Sequence, residues 1–233
     1  MVENMIHIDA ERLNRQYFYR GIKRLFDVVA SAIGVVVISP VLLIIAICIK
    51  VDDPHGPVFY TQTRVGKDGH KFKIIKFRSM VSNADELLAK LQDQNEVDGA
   101  MFKMKDDPRI TRVGRVIRKY SLDELPQLIN VVTGSMSIVG PRPPLVSEVD
   151  QYTEYDKQRL LVTPGATGMW QVGGRNDVDF DEMVRLDLTY IQNRSVWLDL
   201  KIMLETVKVM IEPPLTLRFW SVSSILKTIV PLL

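Results

Sequence analysis

Hydrophobic and polar positions are unevenly distributed along this chain. Val28 to Ile49 is a run of 22 residues without a charge. As a continuous helix it would extend roughly 33 Å, enough to cross the hydrocarbon core of a bilayer. A buried helix of a soluble domain usually keeps a polar stripe, which this run lacks. The run is too long and starts too far into the chain for a signal peptide, and no small-residue cleavage site follows it. At its midpoint stands Ser39-Pro40, where proline removes a backbone donor and disfavours helix at the residue before it. Two forms fit. One is a kinked spanning helix in which a serine hydroxyl re-satisfies the freed carbonyl. The other is a re-entrant hairpin that bends at Ser39-Pro40 and returns to the face it entered. Flanking charge suits the hairpin: Arg12, Arg15, Arg20, Lys23 and Arg24 precede the run and more basic residues follow it, so both ends look cytoplasmic.

After the run the periodicity changes. Residues 56–80 read as two β-rich runs around a Lys67-Asp68-Gly69-His70 turn, a small β-hairpin. Residues 84–92 predict an exposed helix that leads into a loop. Arg112, Arg115 and Arg118 recur every third position, along one side of a helix. A helix over Pro126 to Val132 and a Thr133-Gly134 turn come next, then "GPRPP" (140–144), whose prolines hold Arg142 on a stiff loop. Two further helices are predicted over Phe180–Gln192 and Asp199–Ile211. From Pro213 the chain is apolar, with Arg218 and Lys227 its only charges, a tail that either packs in the core or lies in a bilayer interface. The organisation expected is an N-terminal segment (1–20), a re-entrant membrane hairpin (21–55), a cytoplasmic catalytic domain (56–211) and the tail (212–233).

Bulk composition narrows the chemistry. A formal charge of +2 conceals two basic blocks, six Lys/Arg in residues 61–80 and seven in 101–120, around an acidic stretch. That pattern suggests an anionic ligand or surface rather than a generally cationic protein, and no nucleic-acid partner is expected. The single cysteine, Cys48, excludes an intrachain disulfide, and three scattered histidines make a His-built zinc site or a Ser-His-Asp triad a poor fit. Walker and G-x-G-x-x-G loops are absent from the sequence.

The stretch "YSLDELPQLIN" (120–130) sets Asp123 beside Glu124 just ahead of Pro126. Ser121 and Glu124 have capping-box spacing, yet such a helix would carry Pro126 at its fifth position, where an intrahelical bond is lost. Either the helix starts at Ser121 under strain, or it starts at Pro126 with the acids just ahead. In both cases the carboxylates lie near a positive helix end, beside the arginines.

Taken together the motifs resemble the bacterial sugar transferase family, the monotopic phosphoglycosyl transferases. The matching stretches are "KRLFDVVAS" (23–31), Ser39-Pro40, "GPVFYTQTRVG" (56–66), "KFRSM" (76–80), "DPRITRVGRVIRKYSLDELPQLINVVTGSMSIVGPRP" (107–143) and "VTPGATGMWQVGGRND" (162–177). Larger relatives carry extra membrane spans in front, and this chain resembles their compact catalytic unit. The resemblance implies an α+β, membrane-associated monotopic enzyme with the re-entrant hairpin turning at Ser39 and Pro40, amphipathic interfacial helices and the small β-hairpin. It implies a UDP-sugar donor, a polyprenyl (undecaprenyl) phosphate acceptor, Mg²⁺, and a place on the cytoplasmic face of the bacterial inner membrane, in exopolysaccharide or capsule synthesis. On this pattern Asp123 is the nucleophile and a metal contact, and Glu124 is its acidic partner. Lys76, Arg78, Arg118, Arg142 and Arg175 are the candidate anion binders, since phosphoryl transfer depends chiefly on positioning and on neutralising charge. Neither the sugar nor the oligomeric state, a homodimer included, follows from the sequence. Two rivals remain: a metal-dependent glycosyltransferase using Asp177-Val178-Asp179 or Asp179-Phe180-Asp181, and a non-enzymatic membrane-anchored scaffold.

Overall fold

In a computed structural model, which describes residues 6–91, 104, 107–173 and 178–211, the charge-free run lies inside one long helix. A short helix, α1 (Ala10–Arg15), is capped by the Asp9 carboxylate, which accepts from the amides of Glu11 and Arg12. The long helix, α2 (Tyr17–Asp52), follows at once. It runs through Pro40 unbroken, because the Ser39 hydroxyl donates to the Val36 carbonyl at 2.8 Å, the acceptor that a residue at position 40 would otherwise have satisfied. Ser39-Pro40 thus lies inside one helical element, with the freed carbonyl satisfied by the serine.

One 18-residue window of α2 has a mean hydropathy of 3.0 with only 11% of it buried. Among the described residues it is the one helix long and apolar enough to cross a membrane. Val36, Val37, Leu43 and Ile44 are exposed, far more bare hydrocarbon than a water-facing surface tolerates. Packing against the remainder of the protein comes in two places. Before Pro40, Asp27 and Ser31 are buried; after it, Ile45 and Ile49 are.

The hairpin expected around residues 67–70 is present. Strands β1 (Phe59–Val65) and β2 (Lys71–Phe77) pair antiparallel from Phe59↔Phe77 to Val65↔Lys71. Between them the Gly66 amide donates to the His70 carbonyl at 2.8 Å, and Asp68 (φ 54°) and Gly69 (φ 80°) supply the left-handed residues that the tight reversal needs. Then come α3 (Ala84–Leu91), α4 (Arg112–Lys119) and α5 (Gln127–Thr133), where the spacing places them. The predicted Thr133-Gly134 turn has Gly134 at φ 96°, closing α5.

Strand β3 (Ser137–Val139) pairs in parallel with β4 (Gly165–Thr167), with short helices α6 (Val146–Val149) and α7 (Glu154–Lys157) between them. Gly140 and Gly165 lie so close that a Cβ on Gly165 would stand 2.1 Å from the Gly140 amide nitrogen, so this crossing requires glycine. Helix α8 (Met169–Gly173) is followed by α9 (Phe180–Asn193) and α10 (Val196–Ile211). Their buried faces, led by Leu186, Leu188, Ile191 and Ile202, form the main core with Val139 and Met169. Two smaller clusters matter more for function. Ile45 and Ile49 of α2 pack with Phe77 and Ile117, and Leu122 lies against them. Ile74, Val131 and Met136 join β2 to α5. The apolar tail, the loop after α3 and the residues at 174–177, Arg175 included, lie outside the described residues.

Candidate active site

The site starts where α4 ends. Thr111 caps α4 by accepting from the Gly114 amide at 2.9 Å, and Gly114 lets the helix press on β2's extension, since a Cβ there would stand 1.9 Å from the Ser79 carbonyl oxygen. After Lys119 the chain reverses at Ser121, which takes the left-handed conformation (φ 55°, ψ 22°) and makes no side-chain cap. The capping box expected at Ser121 therefore does not form. Leu122–Glu124 instead make one 3₁₀ turn, and α5 starts beyond Pro126, with the acids just ahead of it. Proline decides this: it cannot donate in a helix interior but fits a helix start.

Asn130 then fixes α5 against β2. Its carboxamide oxygen accepts from the Ile75 amide at 3.0 Å and its nitrogen donates to the Lys73 carbonyl at 2.8 Å. Asn130 is absent from the sequence candidates; an amide six residues beyond Glu124, on the helix that the acids precede, was the available signal. By fixing β2, it sets Lys76 beside the acids. Lys76 Nζ lies 2.6 Å from Glu124 Oε1. Asp123, half-buried, makes no ion pair among the described residues. Its acidity is weakened, the pKa pushed up to about 6, first by burial and then by the charge of Glu124, while Lys76 and Arg118 pull the other way. A carboxylate so placed is desolvated, ionised near neutral pH and exposed to two cations, which is what a nucleophile requires.

A narrow cleft adjoins Glu124, lined also by Arg64, Lys76, Gln127, Arg142 and Gln171. Arg142 is held as the prolines predicted. Its guanidinium lies 5.9 Å from the centroid of the Trp170 ring. The Trp170 indole N–H is buried and finds no acceptor among the described residues. Arg64, absent from the sequence candidates, is buried beneath this loop. It donates to the Pro143 carbonyl at 3.1 Å and to Gln62 Oε1 at 2.8 Å, while the Val65 amide donates to the Pro144 carbonyl at 3.0 Å. Burial, then the neighbouring Arg142 charge, lower its pKa to about 10. These two guanidinium groups, together with Lys76 and Arg118, outnumber the carboxylate pair and leave a surplus of positive charge for a polyanion.

Lys76, Arg118, Asp123, Glu124 and Arg142 are thus gathered into one region. Arg78 is placed elsewhere: buried, it donates to Asp53 Oδ2 at 2.9 Å and to the Asp53 carbonyl at 2.7 Å, tying β2 to the end of α2. Arg112 and Arg115 are solvated on α4. The rival acidic motif has a structural task, because Asp179 caps α9 by accepting from the Glu182 amide at 2.8 Å. Among the described residues no group of three metal-ligating side chains occurs. Two adjacent carboxylates still suit Mg²⁺, which binds through one or two carboxylates together with substrate phosphates.

Residues 18–213 match the bacterial sugar transferase family. The undecaprenyl-phosphate galactose phosphotransferase of Salmonella typhimurium is 46% identical over 196 residues, covering 82% of this chain and 41% of its own length. The UDP-glucose:undecaprenyl-phosphate glucose-1-phosphate transferase of Escherichia coli is 43% identical over 196 residues, covering 81% of the chain and 40% of its own. The exopolysaccharide production protein ExoY of Rhizobium meliloti is 43% identical over 189 residues, covering 79% and 83%. The chain thus spans about two fifths of the length of the first two relatives and most of the third.

Proposed function

The chain belongs to the bacterial sugar transferase family, and from that premise we propose that it moves a sugar 1-phosphate from a UDP-sugar to undecaprenyl phosphate, opening the synthesis of a bacterial surface polysaccharide. A carboxylate oxygen of Asp123 attacks the phosphorus that bears the sugar. The bond from that phosphorus to UMP breaks, UMP leaves, and an aspartyl-phosphosugar forms. A phosphate oxygen of the lipid then attacks the same phosphorus, the acyl-phosphate bond breaks, and the Asp123 carboxylate is restored. Splitting the transfer lets a soluble donor and a lipid acceptor use one site in turn.

The observation that carries this reading is the unequal state of the two acids. Lys76 holds Glu124 at 2.6 Å, while Asp123 keeps a raised pKa of about 6 and no ion pair among the described residues. Arg142 and Arg64 would hold the diphosphate across the cleft, with the charge of Arg118 acting on Asp123. Asp123 and Glu124 would hold Mg²⁺ jointly with that diphosphate. When bound, the ion neutralises charge that develops on the phosphoryl oxygens. Relatives of similar identity are named for galactose and for glucose, so the likeness supports the lipid acceptor more firmly than any one sugar.

Membrane placement belongs to the same proposal. The Asp52 carboxylate at the end of α2 accepts from the Val113 amide of α4 at 3.1 Å, and near its start Arg24 donates to the Val131 and Val132 carbonyls of α5 at 2.7 and 3.0 Å. One domain holds both ends, which suits a segment that enters and leaves the same, cytoplasmic face, with Ser39-Pro40 deepest in the bilayer.

The deciding experiment gives purified protein a UDP-sugar labelled in its sugar-bearing phosphate and quenches it with and without undecaprenyl phosphate. Asp123→Asn should abolish both the trapped enzyme-phosphosugar and the labelled lipid, and Asp179→Asn should preserve both. Lipid product from Asp123→Asn would refute the assignment; wild-type protein that releases UDP instead of UMP would favour the glycosyltransferase, and one that releases neither from any UDP-sugar would leave the scaffold reading.

A further inference from the structure

A second cavity, about 410 Å³ in volume, opens at the start of α2 and shares no lining residue with the cleft at Glu124. We propose that it binds the phosphate headgroup of an anionic bilayer phospholipid. The two sites lie at opposite ends of α5: the cleft includes Gln127 at its first residue, the cavity Gly134 just past its last. Seven residues of helix separate them by roughly 10 Å, so a phosphate in the cavity is out of reach of Asp123.

Charge points to an anion. The cavity is lined by Arg20, Lys23, Arg24, Lys67 and Arg194, against the single carboxylate of Asp27. Asp27 is already engaged, accepting from Ser137 Oγ at 2.7 Å and from the Ile138 amide at 3.1 Å. Lys23 has its counter-ion, Asp199, at 2.9 Å. Arg24 and Arg194, by contrast, bond only neutral oxygens: the Val131 and Val132 carbonyls for the first, Gln16 Oε1 and the Leu13 carbonyl for the second. Arg20 is exposed, and its side chain makes no hydrogen bond or ion pair among the described residues. Three guanidinium groups round one cavity thus keep their charge uncompensated by a bonded acid. Arg194 registers this, since its pKa is lowered first by burial and additionally by the charge of Arg20.

Depth points to a lipid. The cavity lies at the foot of the helix, immediately before the charge-free run. Exposed Tyr17 lines it, Phe18 is the next residue, and exposed Trp197 follows Arg194 by three. Tyrosine, tryptophan and arginine gathered at the end of an apolar helix are the residues of the headgroup layer. The inference rests on the membrane placement of α2 and not on the chemistry at Asp123.

The test is native mass spectrometry of the full chain in detergent, titrated separately with phosphatidylglycerol, phosphatidylcholine, undecaprenyl phosphate and inorganic phosphate. Wild-type protein should keep one phosphatidylglycerol in preference to phosphatidylcholine, and inorganic phosphate should not displace it at equal concentration. Arg20→Gln should weaken that adduct about fivefold, the equivalent of roughly 1 kcal/mol for one basic contact. Gly21→Trp should remove it by filling the cavity, because a Cβ at Gly21 meets nothing within 4 Å and so displaces nothing at its root. UMP release should be unchanged in both variants. Equal adducts in all three proteins, or no preference between the two phospholipids, would overturn the site. Loss of the undecaprenyl phosphate adduct instead would overturn the choice of ligand, as would displacement by inorganic phosphate. A chain that sediments with no vesicle at all would refute the membrane placement, whereas one that sediments without selectivity would refute this inference alone.

Discussion

The ammonium of Lys76 lies 2.6 Å from Glu124 Oε1, and this pairing separates the fates of two carboxylates that are neighbours in sequence. Glu124 is neutralised by its partner. Asp123 feels Lys76 only at longer range, with Arg118, and these two cations offset part of what burial and Glu124 do to it. Lys76→Met should therefore move the pH dependence of phosphosugar formation. In wild type the single-turnover rate should rise through about pH 6 as Asp123 ionises, then level off. In the variant the inflection should shift alkaline by about half a unit or more, and the plateau rate should fall about a hundredfold. An unmoved inflection would exclude Lys76 from the electrostatics of Asp123.

Asp123→Asn should be inactive and more stable. The folded pKa of about 6 exceeds the ordinary carboxylate value of about 3.9. The native state therefore binds this proton more tightly than the unfolded state does. Stability contributed here falls as pH rises from about 4 to about 6, and the deficit is complete above that window. Replacing the charge with an amide should raise the melting temperature by a few degrees at about pH 7.5 and not at about pH 4.5. Melting followed in detergent by tryptophan fluorescence reads both. An equal or lower melting temperature at the higher pH would show that the ionised carboxylate carries no such penalty.

Asp27 joins α2 to β3, accepting from Ser137 and Ile138 while only 4% exposed. Asp27→Ala leaves the part-buried Ile138 amide without its acceptor and the Ser137 hydroxyl with the Val139 carbonyl alone, at 3.0 Å, a loss of about 1–3 kcal/mol. Asp27→Asn, which keeps one acceptor oxygen, should lose less than half of that. Chemical denaturation of the two variants side by side tests the ordering.

Gly114→Ala probes close packing rather than charge. Its Cβ would stand 1.9 Å from the Ser79 carbonyl oxygen, a backbone atom that cannot swing aside. Helix α4 must then shift, taking Arg118 away from Asp123. Both melting temperature and phosphosugar formation should fall, by about 2–3 kcal/mol in stability. A variant with wild-type values would mean that α4 has slack at this contact.

For the topology of α2, single cysteines R20C and H55C in a C48A background should both react with a membrane-impermeant thiol reagent from the cytoplasmic side only. Labelling from opposite sides would establish a spanning helix.

Much of this was legible in the sequence because local rules dominated there. The Lys67–His70 reversal, the helix start forced by Pro126 and the Thr133-Gly134 stop each follow from backbone preferences that distant packing did not override. At Ser121 the sequence left two helix starts open, because capping spacing competed with a proline five residues later, and the proline won. Arg78 looked like a ligand because its fate was decided by Asp53, remote in sequence and invisible to any local rule. Arg64 and Asn130 escaped notice for the converse reason. Their importance lies in which backbone carbonyls and amides tertiary packing brings to them. Between Val36 and Pro40, the serine hydroxyl satisfies the freed carbonyl in the way the sequence suggested.

Leu122, one residue before Asp123, rests on the cluster formed by Ile45 and Ile49, and α5, which begins three residues after Glu124, is clasped near its end by Arg24. The turn that carries Asp123 and Glu124 is thus held by α2 at two places, one on each side of Pro40. Its place along α2 is set by the register of that helix and not by any loop. Inserting one residue between Pro40 and Ile45 would turn the lower half by about 100° and carry Ile45 and Ile49 out from under Leu122. The turn cannot slide along α2 while these two contacts hold; the placing of Asp123 is written into the register of one helix.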